Sequence, residues 1–477
     1  MKIPACIFTL AASAALGADL TIYNQNFAVV RDTVPLDLKA GVNEARFAGV
    51  TAQVEADSVI LRDPAGKSSW QIIEQSYRND PVSEALLLSI FEGQWIDFLR
   101  HEPQKPDVIV KGKIVRSGYV PGGQSVEPII EVDGKLIFEL PGRPQFPALG
   151  ADTVLKPTLT WKLNASAAVK LDAELAYVTE GFAWEASYNV LQPEKGELID
   201  LVGWVTMQNE SGSTFTDARI KLMAGDVNKT VARRKPAMAV MEGAVPGLAA
   251  AAPEPAVTEK TFDEFHLYTV ANPTTLRDKE TKQVEFVRAA GVKAERLYIY
   301  NGAALDGWHA GMSAGEDADY GIKSNKKVAV FREFKNSEAN KLGIPLPKGK
   351  VRFYTQDAAD ASLQFVGENE VAHTPKDELV RLFVGNSFDL VGERKRTDFK
   401  VSKANHRAEE SFEIKVRNRK KEAAEVRVVE HLYRWTDWEI AAKSQDFEKK
   451  DAQTIEFRVP LKPDEEKTIT YKVKYTW

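Results

Sequence analysis

Period-two alternation of apolar and polar residues dominates the chain. Thr158–Leu163 and Val169–Leu175 alternate, and Phe27–Val34 is rich in β-branched and aromatic residues. That is the signature of half-buried strands, with Gly41 and Gly49 as punctuation. One stretch departs from it. Leu86, Leu87, Ile90, Phe91 and Trp95 fall at roughly helical spacing behind Asp80-Pro81. Pro fits the first helical position and Asp the cap, so a helix is predicted over Pro81–Leu99. After it come the strand-like Val108–Val115 and two runs, Ile129–Val132 and Lys135–Phe138, around Asp133-Gly134. That dipeptide predicts a type I′ hairpin, whose two central residues need positive φ. A helix followed by short strands predicts a small SH3-like or Sm-like barrel, as an analogy of shape alone.

Residues 150–230 return to strands, with Trp184, Tyr188, Trp204 and Phe215 as core candidates. Residues 231–260 break the pattern. Ala249–Ala252, Pro246, Pro253 and Pro255 lie in a stretch whose 237–257 part has no aromatic residue. Such a segment buries too little apolar area to offset its ordering entropy and predicts a flexible loop. The last hundred residues predict seven short strands: Leu379–Gly385, Phe388–Phe399, Glu410–Arg417, Glu425–Tyr433, Trp438–Lys443, Thr454–Val459 and Thr468–Trp477. This is an immunoglobulin-like spacing without the cysteine pair.

The expected fold is therefore mainly β. It is a multi-domain β-sandwich with an inserted small SH3-like barrel and an immunoglobulin-like C-terminal domain. The expected division is 1–18 leader, 19–78 first β segment of the central sandwich, 79–149 helix plus barrel, 150–375 central sandwich and 376–477 final sandwich.

The leader reading rests on Lys2, the apolar run Ile3–Leu16 and the small residues up to Ala18. That is the layout of a secretory signal peptide. The run is too short to span a bilayer permanently, and no later stretch reaches the length of a spanning helix. The single cysteine, Cys6, excludes an intramolecular disulfide framework. A net charge of -5 with a mixed-sign surface argues against a dedicated nucleic-acid binder. An exported protein of the periplasm or cell surface is expected.

Chemistry-bearing motifs are sparse. Gly311-Met312-Ser313-Ala314-Gly315 has the letters of a nucleophile elbow, but loop-like residues flank it where a strand and a helix are required. The same region offers a candidate binding loop of Asp306, Trp308, His309, Asp317, Asp319 and Tyr320. Its acids, with Glu316, suit a hard cation but lack the EF-hand order. None of the six histidines lies three or four residues from another, so no zinc pattern is present, and no metal or other cofactor is expected. Arg394, Lys395, Arg396 and Lys400 form a candidate polyanion face, although their alternation with apolar residues also fits the wet side of a strand.

Several segments carry a family resemblance together. They are Leu20–Arg31, Gly181–Tyr188, Leu222–Asn228, Pro273–Leu276, Gly343–Gly349, Val384–Leu390 and Tyr471–Trp477. The chain resembles the bacterial secreted proteins grouped as domain of unknown function 4139, with relatives among mucoidy-inhibitor-like proteins. The resemblance implies an exported, β-rich protein and carries no catalytic residues over. The expected function is a non-catalytic envelope module that binds a protein or glycan or supports surface structure. The alternatives are an envelope hydrolase with a site assembled from residues distant in sequence, and a cation- or polyanion-binding module.

Overall fold

The computed structural model describes residues 17–477 apart from 68, 80–81, 102–105, 121–122, 124–125, 148–153, 226, 228, 230–256, 263, 306–316 and 358. The leader up to residue 16, Asp80-Pro81, residues 230–256 and the Gly311–Gly315 motif therefore lie outside the described residues. The molecule is mainly β, arranged in several sheets with sandwich-like packing. Among the described residues no helix is long and apolar enough to cross a membrane. The chain divides into two compact units. One comprises Met1–Ala183, Gln208–Leu222 and Asn272–Lys282; the other comprises Trp184–Met207, Met223–Ala271 and Gln283–Trp477.

In the first unit, Phe27–Leu38 pairs antiparallel with Asp19–Tyr23 and Val169–Glu180 along its length. A three-stranded sheet sets Thr158–Ala165 between Gly41–Ala48 and Trp70–Arg78. Alternation does what the sequence predicts: Leu159, Trp161 and Leu163 are wholly buried, and Trp161 Nε1 donates to Gln75 Oε1 at 2.8 Å.

The predicted helix is shorter than expected. It spans Glu84–Ile90, capped by Ser83, whose hydroxyl accepts from Leu86 N. Gly93, at φ +81°, follows it, and Trp95–Arg100 is a strand. Ile96 and Phe98 turn inward there while Trp95 is exposed, a period of two where the sequence suggested 3.6. Five short strands in the order Arg143–Gln145, Trp95–Arg100, Val108–Arg116, Ile129–Val132, Lys135–Ile137 form one sheet. Asp133 and Gly134 have φ +48° and +73°, as a type I′ turn demands. Leu88, Ile96, Phe98, Ile114 and Ile130 fill the core under the helix. Gly112 lets strand and core close up, since a Cβ there would lie 2.8 Å from both Phe98 and Ile130. Among the described residues these five strands pair in a linear order that does not close on itself.

A five-stranded sheet runs in the order Glu280–Lys293, Leu198–Asn209, Phe182–Gln192, Gly349–Gln356, Leu363–Val371, and most of its residues belong to the second unit. Trp184, Tyr188, Tyr268 and Phe286 pack ring against ring within this unit. Trp184 and Tyr188 are buried, whereas Trp204 is half-buried. Residues 257–260, assigned above to a flexible loop, begin the strand Val257–Phe262, which pairs with Phe265–Val270.

The C-terminal sheet has nine strands in the order Asp437–Lys443, Glu466–Thr476, Arg407–Asn418, Leu379–Ser402, Lys327–Lys335, Glu295–Asn301, Ala424–His431, Thr454–Leu461, Glu448–Lys449. Two predicted strands, Leu379–Gly385 and Phe388–Phe399, are one continuous strand of 24 residues. Its first half pairs with Lys327–Lys335 and its second half with Arg407–Asn418. The sheet also reaches back before residue 376 for two of its central strands. Inward residues of Arg407–Asn418 and Glu466–Thr476 share one core with those of Ala424–His431 and Thr454–Leu461: Phe412, Ile414, Tyr471 and Val473 with Val426, Val428, Phe457 and Val459. Each such side chain contributes roughly 1.5–3 kcal/mol by leaving water.

Candidate functional site

The inward face of the C-terminal sheet is not purely apolar. In the second half of Leu379–Ser402 the buried positions run Leu390, Gly392, Arg394. In Arg407–Asn418 they run Ala408, Glu410, Phe412, Ile414, Val416, and in Ala424–His431 they include Val426, Val428 and Glu430. Two glutamates and an arginine thus occupy core parity.

They are paired with one another and with the chain around them, as buried charges must be, although Arg394 Nη2 and Glu410 Oε2 are buried without a hydrogen bond. Arg394 Nε reaches both oxygens of Glu430, at 3.0 and 2.9 Å, and its Nη1 donates to the Gly321 carbonyl at 2.7 Å. Its guanidinium lies 4.1 Å over the Phe412 ring, and the Tyr471 hydroxyl donates to Glu430 Oε2 at 2.6 Å. Arg434 Nη2 lies 2.8 Å from Glu410 Oε1, and Arg396 Nη1 lies 3.3 Å from the same oxygen. Arg434 also donates to the carbonyls of Asp317 at 2.9 Å and Tyr320 at 3.1 Å. Arg396 Nη2 donates to the carbonyl of Ala318. Phe399 lies under both guanidinium groups, at 4.4 and 4.8 Å.

The electrostatics follow from this packing. Burial by itself would lower the Arg394 guanidinium, but Glu430, Tyr471 and Tyr433 outweigh it and hold the group above its ordinary value. Glu410 likewise keeps Arg434 raised against burial. Burial, with the Glu410 charge behind it, pushes the Tyr433 hydroxyl up to about 12. Three guanidinium groups face two carboxylates, and four loop carbonyls turn the negative ends of their dipoles to the surplus cation.

The loop held this way is Asp317–Gly321. Its main chain is grasped from beneath while Asp317, Ala318 and Asp319 face solvent. Asp319 N donates to Asp317 Oδ1 at 2.8 Å, and Tyr320 meets Tyr433 edge-on with centroids 5.3 Å apart. Gly321 is required here. Its φ is +77°, and a Cβ would lie 2.0 Å from the Tyr433 hydroxyl.

The structure thus brings together two groups that were far apart in the sequence reading: Asp317, Asp319 and Tyr320 of the candidate loop, and Arg394 and Arg396 of the candidate polyanion face. Asp306, Trp308 and His309 lie outside the described residues. Arg394, Lys395, Arg396 and Lys400 do not share a face. The Arg394 and Arg396 side chains are 1% and 13% exposed and committed inward. Lys395 is exposed, and Lys400 lies in solvent 3.2 Å from Asp398. The sequence reading missed Glu410, Glu430, Tyr433, Arg434 and Tyr471. A signal existed for the glutamates, each of which sits on the inward parity of an otherwise apolar strand.

A second buried cation, Arg332, stands apart from this network. It is wholly buried, and its described partners are Gln192 Oε1 at 2.9 Å and the carbonyls of Gly196 and Ala294 at 3.0 Å. None is a carboxylate, and burial lowers it to about 10. On the surface, a shallow open trough of about 480 Å³ includes Thr397, Ser411, Glu413, Thr470 and Lys472 in its lining. Among the described residues no three His, Cys, Asp or Glu side chains gather as metal ligands.

A family model matches residues 173–477, a span that contains the whole Arg–Glu network. The chain belongs to the family described as Domain of unknown function (DUF4139). No curated protein matches it, and no solved structure does. The DUF4139 match thus covers the C-terminal sheet and the clamped loop, and its description assigns no reaction to them.

Proposed function

We propose that this DUF4139 protein is an exported, non-catalytic binding module that presents the Asp317–Gly321 loop to a protein or glycan partner in a bacterial envelope. The observation that carries the reading is the clamp. Three arginines hold the carbonyls of Asp317, Ala318, Tyr320 and Gly321, and the loop's carboxylates are left facing water. Fixing a backbone while freeing its side chains lowers the ordering cost of recognition. Both buried glutamates are engaged by guanidinium groups, so the network serves position rather than proton transfer. The N-terminal pattern of Lys2, an apolar run and small residues supports export.

The test is capture from cell-envelope extract by the wild-type chain and by an Asp317→Asn/Asp319→Asn variant, analysing proteins and glycans alike. A saturable partner whose capture falls about tenfold or more in the variant supports the reading. A partner held equally by both forms, or no partner under gentle low-salt washing, refutes it.

A further inference from the structure

Phe388 is 96% exposed, more than any other large apolar side chain among the described residues. It stands in a break of register. Val328 pairs with Ser387 and Lys327 with Val391, so residues 388–390 bulge between them. Leu390 turns into the core at 1% exposure and Phe388 is thrown outward. The bulge is braced from both sides: Arg419 N donates to Asp389 O at 2.7 Å, and Gly392 N to Lys326 O at 3.1 Å. Those bonds bring the exposed Lys326, Lys327 and Arg419 beside the aromatic residue. The acidic neighbours are Asp389 itself, Asp464, which is 4.0 Å from Arg419, and Glu393, which feels the Lys326 charge but is paired with Arg417 at 2.7 Å.

A second apolar element extends the same way. Leu363–Val371 lies antiparallel to the first half of the long strand, with Gly367 against the Val384 carbonyl and Asn369 Nδ2 bonded to Phe383 O at 3.1 Å. Its exposed end, Leu363, Phe365 and Val366, therefore runs toward the same end of the long strand as Phe388.

We propose that this corner is a membrane-contact site for an anionic lipid surface. Phe388 enters the boundary between headgroups and acyl chains, where aromatic side chains are favoured. Lys326, Lys327 and Arg419 rest on the anionic headgroups. The chain carries a net charge of -5, so an anionic surface repels most of it and attracts it where cations surround an apolar tip. The contact is peripheral and oriented.

The full chain is tested by co-sedimentation with vesicles of phosphatidylglycerol and phosphatidylcholine, against pure phosphatidylcholine. Binding to the anionic vesicles, lost at high salt, is expected. Phe388→Ser should weaken it about tenfold or more, and Lys326→Glu/Lys327→Glu should weaken it comparably. Phe388 has almost no packing to lose, so an unchanged thermal midpoint confirms that the variant is folded. Absence of binding, binding that Phe388→Ser leaves unchanged, or equal binding to both vesicles overturns the proposal. So does a dimer that disappears with Phe388→Ser, since that assigns the corner to a second copy of the chain.

Discussion

Arg434 Nη2 sits 2.8 Å from Glu410 Oε1, and neither side chain has any exposure to solvent. Taking away one member leaves the other charge buried. Arg434→Met is expected to cost about 3–5 kcal/mol of folding stability, measured by urea unfolding. The double variant Arg434→Leu/Glu410→Leu removes both charges and should recover a large part of that loss. It should nevertheless leave the Asp317–Gly321 loop open to protease, because the carbonyls of Asp317 and Tyr320 lose the guanidinium that ties them to the sheet. Equal protection of that loop in the double variant would contradict the clamp.

The buried tyrosines make stability fall in alkali. Tyr433 is pushed up to about 12, chiefly by burial. Tyr471 and Tyr475 are raised well above 10 by burial, with Glu430 the next cause for the first and Glu410 for the second. The unfolded chain releases these protons near pH 10. Between about pH 10 and 12 the unfolded state therefore binds fewer protons than the folded one, and stability declines as pH rises. Below about pH 10 their contribution is full and constant. Denaturant midpoints on either side of pH 10 check the sign, and Tyr433→Phe should flatten the decline.

Arg332 gives the opposite expectation to Arg434. Its guanidinium is wholly buried against Gln192 and two carbonyls, with no carboxylate among its described partners. An apolar side chain of similar length removes the desolvation cost along with the hydrogen bonds, so Arg332→Met should change stability by no more than about 1–2 kcal/mol in either direction. Gln192→Ala keeps the cation and deletes a neutral acceptor, and should cost about 1–3 kcal/mol. Paired thermal or urea unfolding of the two variants decides the order.

Gly392 and Gly385 lie in the same strand and should respond differently to one methyl group. A Cβ on Gly392 would lie 2.2 Å from the Tyr300 ring, which is wholly buried, whereas one on Gly385 meets nothing within 4 Å. Gly392→Ala is expected to destabilise by about 1–3 kcal/mol through overpacking. Gly385→Ala should be neutral or slightly stabilising. Equal effects would mean that Tyr300 has room to move.

Much of the architecture was written in the period of the hydrophobic residues. Thr454–Val459 and Trp438–Lys443 were placed within two residues of their observed ends, and Asp133-Gly134 turned as its chemistry required. Trp95–Arg100 misled because its first apolar residue continued the helical spacing, while Gly93 had already ended the helix. The Arg–Glu network was hidden for a different reason. Arg394 and Arg396 alternate with neighbours as solvent-facing residues do, and parity alone does not say which side of a strand is wet. That side is set by partners far along the chain: Phe412, Glu430 and the carbonyls of the Asp317–Gly321 loop. The exposed Phe388 was equally illegible, since a register break of one strand against another leaves no mark in either sequence.

The strand Glu295–Asn301 has its parallel partner in Ala424–His431, with Tyr298 opposite Val426. On its other flank it pairs with Lys327–Lys335, which in turn lies against Leu379–Ser402. A chain leaving the ribosome thus exposes an unmatched β edge along Glu295–Asn301 until residues 424–431 have followed. Completion of this sheet is therefore a late, long-range step in folding, and until then the open edge is a site where strands of other chains can add.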